Sequence, residues 1–266
     1  MSLKDIAKEL EDSWERELAS VHPLIKESGL NLKRYYHTKN GWQKVFVEFC
    51  EETLNRFPSM NYVFIERDAN PVFVTMQHFK EARGLDNELR QVALTRDMYP
   101  GWYNVDLETV RYQEALKRSN EWMTQRIRNR KTLLHDYLRQ ELEDLDNMLF
   151  VDTGFLGTAT IYLQAFFDKK KTDHFLVVGK KGTNRYVTDY SEDDLTCSIE
   201  EGTAHGYQID GLKRKKGKII VKKSDIMPYD KPKHVADYVA IEMNALEYLH
   251  KAVTDDMVRK VLAKYI

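Results

Sequence analysis

Apolar residues recur along this chain in two periods, and each change of period marks a new element. Near the N-terminus Leu3, Ile6, Leu10, Trp14, Leu18 and Val21 stand three or four positions apart, the spacing of one helix face. Ser2 followed by Asp5 resembles a capping box. Residues 3 to about 28 are therefore expected to form one or two amphipathic helices. A second helix is expected from about Gly41 to Phe57, with Trp42, Val45, Phe46, Phe49, Cys50, Leu54 and Phe57 on one face and Pro58 as its stop.

After Pro58 the pattern changes in kind. Tyr62-Val63-Phe64-Ile65 is a short continuous apolar run, the mark of a strand buried on both faces of a parallel sheet. It ends at Glu66-Arg67-Asp68, and Asn70 with Pro71 supplies an N-cap and first-turn proline for a helix that Gly84 closes. Gln91 to Thr95 reads as a second strand, Met148 to Val151 as a third and Asp173 to Gly179 as a fourth. Between the second and third lie an aromatic loop, Tyr99 to Asn104, and a long charged helical stretch from Asp106 to about Asp144. The third strand leads through Asp152 to Ala159 into a helix that runs to Phe167. Beyond Thr183, short pieces at Tyr186–Thr188, Tyr207–Ile209 and Ile219–Val221 suggest hairpins, and residues 234 to 250 and 254 to 265 return to helix.

Strand, loop, helix and strand follow one another twice, so an α/β fold is expected, with a parallel-sheet core. Its divisions are N-terminal helices (1–57), the core (58–182, with a helical insertion at 104–146) and a β-rich extension with C-terminal helices (183–266). The length of 266 residues suffices for a sizeable core. Lys and Arg number 41 against 42 Asp and Glu, a net charge of −1, so no global field attracts nucleic acid or an anionic membrane. Any such binding must be local. No apolar run approaches the roughly 18 residues of a membrane span, and residues 1–10 lack a basic-then-apolar leader pattern. Cys50 and Cys197 form no spaced framework. A cytoplasmic protein without a disulfide is the expectation.

In an open parallel sheet the strand carboxyl ends share one edge, and ligands bind in the crevice there. The four expected strands end in Glu66-Arg67-Asp68, Arg96-Asp97, Asp152-Thr153-Gly154 and Gly179-Lys180-Lys181, which gathers polar groups on that edge. Strand ends are also simply where buried runs meet water. The sharper signal is Asp152-Thr153-Gly154-Phe155-Leu156-Gly157-Thr158-Ala159. A carboxylate, two glycines and two threonines ahead of a helix start make a loop whose amides can surround a phosphate. Each dipole contact contributes only about 0.3–1 kcal/mol, so several donors must act together. Asp152 suits a sugar hydroxyl or a magnesium ion. The same turn can instead serve close packing alone.

Three other motifs fail on particular residues. A P-loop ends in Gly-Lys-Ser/Thr, whereas this loop has Gly157-Thr158-Ala159. The Asp152-Thr153-Gly154 triplet matches aspartic proteases, but those are all-β and this loop feeds a helix. A haloacid-dehalogenase nucleophile loop needs a second aspartate where Gly154 stands.

Taken together, the first strand with its turn (Phe64 to Asn70), the second strand, the insertion and the run Phe150 to Ala159 resemble type I phosphoribosyltransferases over roughly residues 60 to 180. The resemblance implies a Rossmann-related core. It assigns Glu66, Arg67, Asp68, Ala69 and Asn70 to pyrophosphate, Asp152 to ribose hydroxyls and Thr153, Gly154, Phe155, Leu156, Gly157, Thr158 and Ala159 to the ribose 5-phosphate. Asp152 and Arg96 become the catalytic candidates, with magnesium as the implied ion. The family usually has two adjacent acidic residues at this point; here Thr153 follows Asp152. A second likeness spans more of the chain. Arg67-Asp68, Leu94-Thr95-Arg96, Val151 to Thr158 and Ala204-His205-Gly206-Tyr207 are similar to the C-terminal region of large bacterial proteins with a haloacid-dehalogenase-like N-terminal domain, a likeness that implies no named activity.

Trp102 and Tyr103 leave the second strand on the same edge as Asp152 and suit a lid or base stacking, or a packed aromatic loop. Arg126, Arg128, Arg130 and Lys131 suit phosphate neutralisation, or a solvated face interlaced with Asp136, Glu141 and Glu143. Lys213-Arg214-Lys215-Lys216-Gly217-Lys218, with Lys222 and Lys223, is the densest positive run; residues 168–234 carry 15 Lys and Arg against 11 Asp and Glu. The stretch Lys213 to Lys223 can grip a nucleic-acid backbone through counterion release, or serve as a solubilising hairpin. The eight histidines lack metal-site spacing, and only His205, in Ala-His-Gly-Tyr, suits acid–base work. The expected function is binding of a phosphorylated ribose or nucleotide at the sheet edge, with phosphoribosyl transfer as the reaction class. The alternatives are a noncatalytic partner-binding protein on a nucleotide-enzyme scaffold, and nucleic-acid binding through the basic hairpin.

Overall fold

The computed structural model describes residues 19–42, 45–66, 69–94, 125–152, 163, 172–176, 207–225 and 231–266. In chain order its elements are α1 (Pro23–Glu27), α2 (Leu32–Trp42), α3 (Val45–Arg56), β1 (Asn61–Glu66), α4 (Asn70–Arg83), β2 (Leu89–Ala93), α5 (Gln125–Leu142), β3 (Met148–Asp152), β4 (Thr172–Leu176), β5 (Tyr207–Lys215), β6 (Lys218–Asp225), α6 (Lys231–Leu249) and α7 (Asp255–Tyr265). The fold is α/β, as the alternation of apolar periods implies. No helix among the described residues is long and apolar enough to cross a membrane.

The sheet is parallel throughout and ordered β2-β1-β3-β4. Register follows the apolar runs: Phe64 of β1 stands between Gln91 of β2 and Val151 of β3. Successive side chains of a strand leave opposite faces. Accordingly Tyr62, Phe64, Leu149 and Val151 join α3 and α4 in one core. Val63, Ile65, Val92 and Phe150 join Leu134, Leu138 and Leu142 of α5 in the other, together with Leu163. The crossover from β1 to β2 thus lies on one face and α5, on the return to β3, on the other. Right-handed crossovers require this placement when the chain steps first one way from β1 and then back past it.

Local signals set the helix ends. Pro71 lies in the first turn of α4, and Gly84 closes it in the left-handed region at φ 61°, its amide bonded to Lys80 O. The start differs by one residue from expectation: Ala69 is the N-cap, and Asn70 is already helical. Thr254 caps α7 through its hydroxyl, which accepts from the Met257 amide, and Asp255 and Asp256 follow in the first turn. Two expectations are corrected in extent. The helix expected from Gly41 is described from Val45, and helical structure already begins at Leu32, where Asn31 Oδ1 accepts the Arg34 amide at 3.1 Å. The strand pieces at 207 and 219 extend into one antiparallel hairpin. The expected helix over residues 3–18, the aromatic loop, the insertion up to residue 124 and the pieces at 186–188 lie outside the described residues.

A third core joins α1 and α2 to α6 and α7. Every residue of α6 from His234 to Leu246 is buried, so this stretch has no solvated face and its polar residues must be satisfied inside. Asp237 accepts from Arg34 at 2.6 and 2.9 Å and from the Thr38 hydroxyl, which ties α6 to α2. Glu242, fully buried, meets His78 of α4 at 2.8 Å, Lys264 at 2.6 Å and the Tyr265 hydroxyl. Burial would raise the Glu242 carboxyl; the hydrogen bonds from His78, Lys264 and Tyr265 outweigh it and hold the group below the usual carboxylate range.

A carboxyl depressed on folding contributes stability that is present above its unfolded value, about 4.3, and is lost as pH falls through the folded value. Urea unfolding from pH 7 to pH 3 should therefore show an acid-side loss that is smaller in Glu242→Gln. Glu242→Ala, which strips the partner from His78 and Lys264, should cost about 3–5 kcal/mol at pH 7. Equal acid slopes in the wild type and Glu242→Gln would show that the carboxylate is not the stabilising species.

Candidate functional site at the carboxyl rim of the sheet

The two rims of the sheet are built differently. At the amino ends, side chains stitch the strands together. Asn61 donates to Asp146 O at 2.7 Å and accepts the Glu88 amide at 2.9 Å, and Arg90 grips both Asp144 oxygens at 2.6 and 2.9 Å. The carboxyl rim carries the candidate residues. Glu66 closes β1 opposite Ala93 of β2, and Asp152 closes β3 opposite Leu176 of β4. Because Phe64 pairs with Val151, Ile65 and Asp152 share the next level of the ladder. The ends of β1 and β3 are thus neighbours. Strand order reverses between them, since β2 lies on one side of β1 and β3 with β4 on the other. Such a reversal parts the two sets of crossover loops and leaves a crevice outside the strand ends.

On the β1 side the described residues are tied into the protein. Ala69 is fully buried, and its amide donates to Ile65 O at 3.1 Å. Asn70 is buried between layers: Nδ2 donates to the Tyr238 hydroxyl at 2.8 Å, and Oδ1 accepts from Gln91 Nε2 at 2.6 Å. This side chain therefore links β2 to α6 rather than capping its own helix. The Ala93 amide, at the end of β2, donates to the Tyr137 hydroxyl at 2.9 Å. Burial first, then the charges of Glu141 and Glu66, holds the Tyr137 phenol far above its ordinary value despite that amide, so it stays neutral. Glu66 itself is half-buried at the strand end.

Of the residues singled out in the sequence, Glu66, Ala69, Asn70 and Asp152 come to one rim on adjoining elements. Arg67, Asp68, Arg96, Trp102, Tyr103, Thr153 to Ala159 and His205 lie outside the described residues. Lys213 to Lys223 falls on the β5–β6 hairpin, which forms a sheet of its own. Cys50 is buried, its thiol facing Val72 O at 3.7 Å, and burial pushes the thiol well up, so it is no nucleophile. The rim also uses Gln91, Tyr137 and Tyr238, which sequence reasoning missed. Tyr137 stands beside Leu138 in an apolar helix stripe, and nothing in the sequence signals that its hydroxyl serves β2. Among the described residues no group of three or more His, Cys, Asp and Glu gathers as a metal cage. No protein-family model and no curated protein matches this chain.

Tyr137→Phe leaves the buried Ala93 amide without its acceptor and should cost about 1–3 kcal/mol in urea unfolding, with the slope unchanged. A loss below about 0.5 kcal/mol would mean that the amide finds another acceptor.

Proposed function

We propose that the crevice between the ends of β1 and β3 binds a phosphorylated ribose or nucleotide, with phosphoribosyl transfer as the reaction class. The observation that carries this reading is the strand order β2-β1-β3-β4, whose reversal brings Asp152 beside β1 at the carboxyl rim. In this reading Asp152 holds the ribose hydroxyls. The amides and threonine hydroxyls of 153–159 surround the 5-phosphate, and the Glu66 to Asn70 turn faces the pyrophosphate. In the transfer, the bond from ribose C1 to the pyrophosphate oxygen breaks as the acceptor nitrogen bonds to C1. Arg67 or Arg96 neutralises the departing pyrophosphate. Trp102 and Tyr103 cover the base.

In this reading a magnesium ion would be held by Asp152 together with oxygens of the ligand phosphates and water. Bound there, the ion would supply charge neutralisation to the pyrophosphate.

A second reading, a noncatalytic scaffold that binds a partner, is favoured by one observation: the Asn70 side chain and the Ala69 amide are already engaged within the protein. Titration calorimetry with phosphoribosyl pyrophosphate and common nucleotides, with and without magnesium, separates the two. The ligand-binding reading expects heat with at least one ligand and affinity about tenfold or more weaker in Asp152→Ala, a difference of about 1.4 kcal/mol. No heat with any ligand, or heat unchanged in Asp152→Ala, overturns it in favour of the scaffold.

A further inference from the structure

The β5–β6 hairpin has two chemically distinct faces, and only one of them is used by the fold. Its inner face is Leu212, Arg214, Ile219 and Val221, cross-strand partners in register. Ile219 is buried against the core that α5 closes, and Leu212 and Val221 pack on the same core. Gln140 of α5 clasps the Ile219 backbone in both directions, its Nε2 donating to the carbonyl at 3.0 Å and its Oε1 accepting the amide at 2.9 Å. Arg214 reaches Asp136 of α5 at 2.5 Å. These contacts fix the ribbon rigidly on the body of the protein. The tip is a two-residue turn with both residues at positive φ, Lys216 at 50° and Gly217 at 81°, the geometry of a tight type I′ hairpin.

The other face carries Lys213, Lys215, Lys218 and Lys222 around the half-buried Ile220, with Lys216 at the tip; all five lysines are exposed. Lys215 stands directly across from Lys218. Like charges placed opposite one another weaken a hairpin, and among the described residues no carboxylate pairs with any of the five. Gly211 lies across from Lys222, so that level of the face is open. A concentration of positive charge on a ribbon, unpaired with carboxylates among the described residues, in a chain whose net charge is −1, suits a polyanion.

We propose that this lysine face docks on the phosphate backbone of duplex DNA without regard to sequence. The shape decides among polyanions. A two-stranded antiparallel ribbon fits the B-form major groove, whereas the major groove of A-form RNA is too narrow to admit it. The face carries no aromatic ring on which unpaired bases would stack. It also lacks the Arg, Asn or Gln whose planar groups read base edges in pairs, and a lysine ammonium meets a phosphate as a point charge, so the proposal assigns its contacts to phosphates. Alternate residues of a strand stand about 7 Å apart, so Lys213 and Lys215 lie about 7 Å apart on one strand and Lys218 and Lys222, with Ile220 between them, about 13–14 Å apart on the other. The proposal does not depend on the nucleotide reading of the sheet rim.

The test is fluorescence anisotropy of a mixed-sequence DNA duplex of about 20 base pairs with the full chain, between 50 and 200 mM salt. Five phosphate contacts predict a slope of log K against log salt of about −4 to −5, so affinity falls roughly 10²- to 10³-fold over that range. The triple variant Lys215→Gln, Lys216→Gln, Lys218→Gln should lower the slope by about three while its thermal unfolding is unchanged or improved. Lys33→Gln with Lys251→Gln, exposed lysines on the helical layer, should leave the slope as it is. Absence of binding at 50 mM salt, an unchanged slope in the triple variant, tighter binding to the single strand than to the duplex, or binding to anionic phosphatidylserine vesicles without duplex binding would each overturn the proposal.

Discussion

Strand β1 is closed on every side, and the rest of the architecture follows from that. Tyr62, Val63, Phe64 and Ile65 are all buried, so both faces need a covering layer. Its two edges are also occupied, by β2 and β3, so no backbone group is left to water. Both neighbours run parallel to it, and parallel neighbours cannot be joined by tight hairpins. Each connection must climb back along the sheet, and the helices it contains become the covering layers. Stepping to β2 and then back across β1 to β3 puts α4 on one face and α5 on the other. The reversal of strand order at the rim is thus a consequence of burying one apolar run completely.

The helical layer solves a related problem with different chemistry. Helix α6 is buried along thirteen consecutive positions, from His234 to Leu246, yet it carries Asp237, Glu242 and Asn244 among them. Each of these reaches a different neighbour: Asp237 meets α2, Glu242 meets α4 and α7, and Asn244 donates to the Lys39 carbonyl at 3.2 Å. Apolar packing alone permits a helix to slide or rotate by a turn; paired buried charges do not, because a slipped register strands them unpaired. Residues near the two ends of the described chain are locked together in this way. Tyr238 extends the linkage toward the sheet, accepting from Asn70 on one side and packing on the Tyr265 ring at 5.9 Å on the other.

What the sequence made legible divides along the same line. Continuous apolar runs announced β1 and β3, because burial on both faces leaves no room for polar positions; β2 and β4, which carry Arg90, Gln91, Asp173 and His174, were read from shorter apolar stretches and begin two residues and one residue earlier than expected. Pro71 and Gly84 bounded α4, because each acts through its own backbone. Helix α2 escaped notice since its buried face is Tyr35, Tyr36 and Thr38 rather than an aliphatic stripe, and it packs by hydrogen bonds as much as by area. Pairs such as Arg34 with Asp237 and His78 with Glu242 join residues 203 and 164 positions apart, a separation no local pattern encodes. At the rim, Glu66 and Asp152 could be found because strands end where apolar runs end. The struts Gln91, Asn70, Tyr137 and Tyr238 could not, because their hydroxyl and amide partners come from other elements.

These struts also decide which half of the rim can hold an anion. A helix start attracts phosphate through free first-turn amides, each contributing about 0.3–1 kcal/mol. At α4 the Ala69 amide already donates to Ile65, Pro71 has none, and no side chain caps the helix. Among the described residues of that turn only the Asn70 and Val72 amides remain, too few to hold a phosphate by dipoles alone. The proposed ligand reading therefore leans on the β3 side, where the sequence after Asp152 carries two glycines and two threonines within seven residues. The described β1 side is instead a braced wall, with Asn70 held between Gln91 and Tyr238.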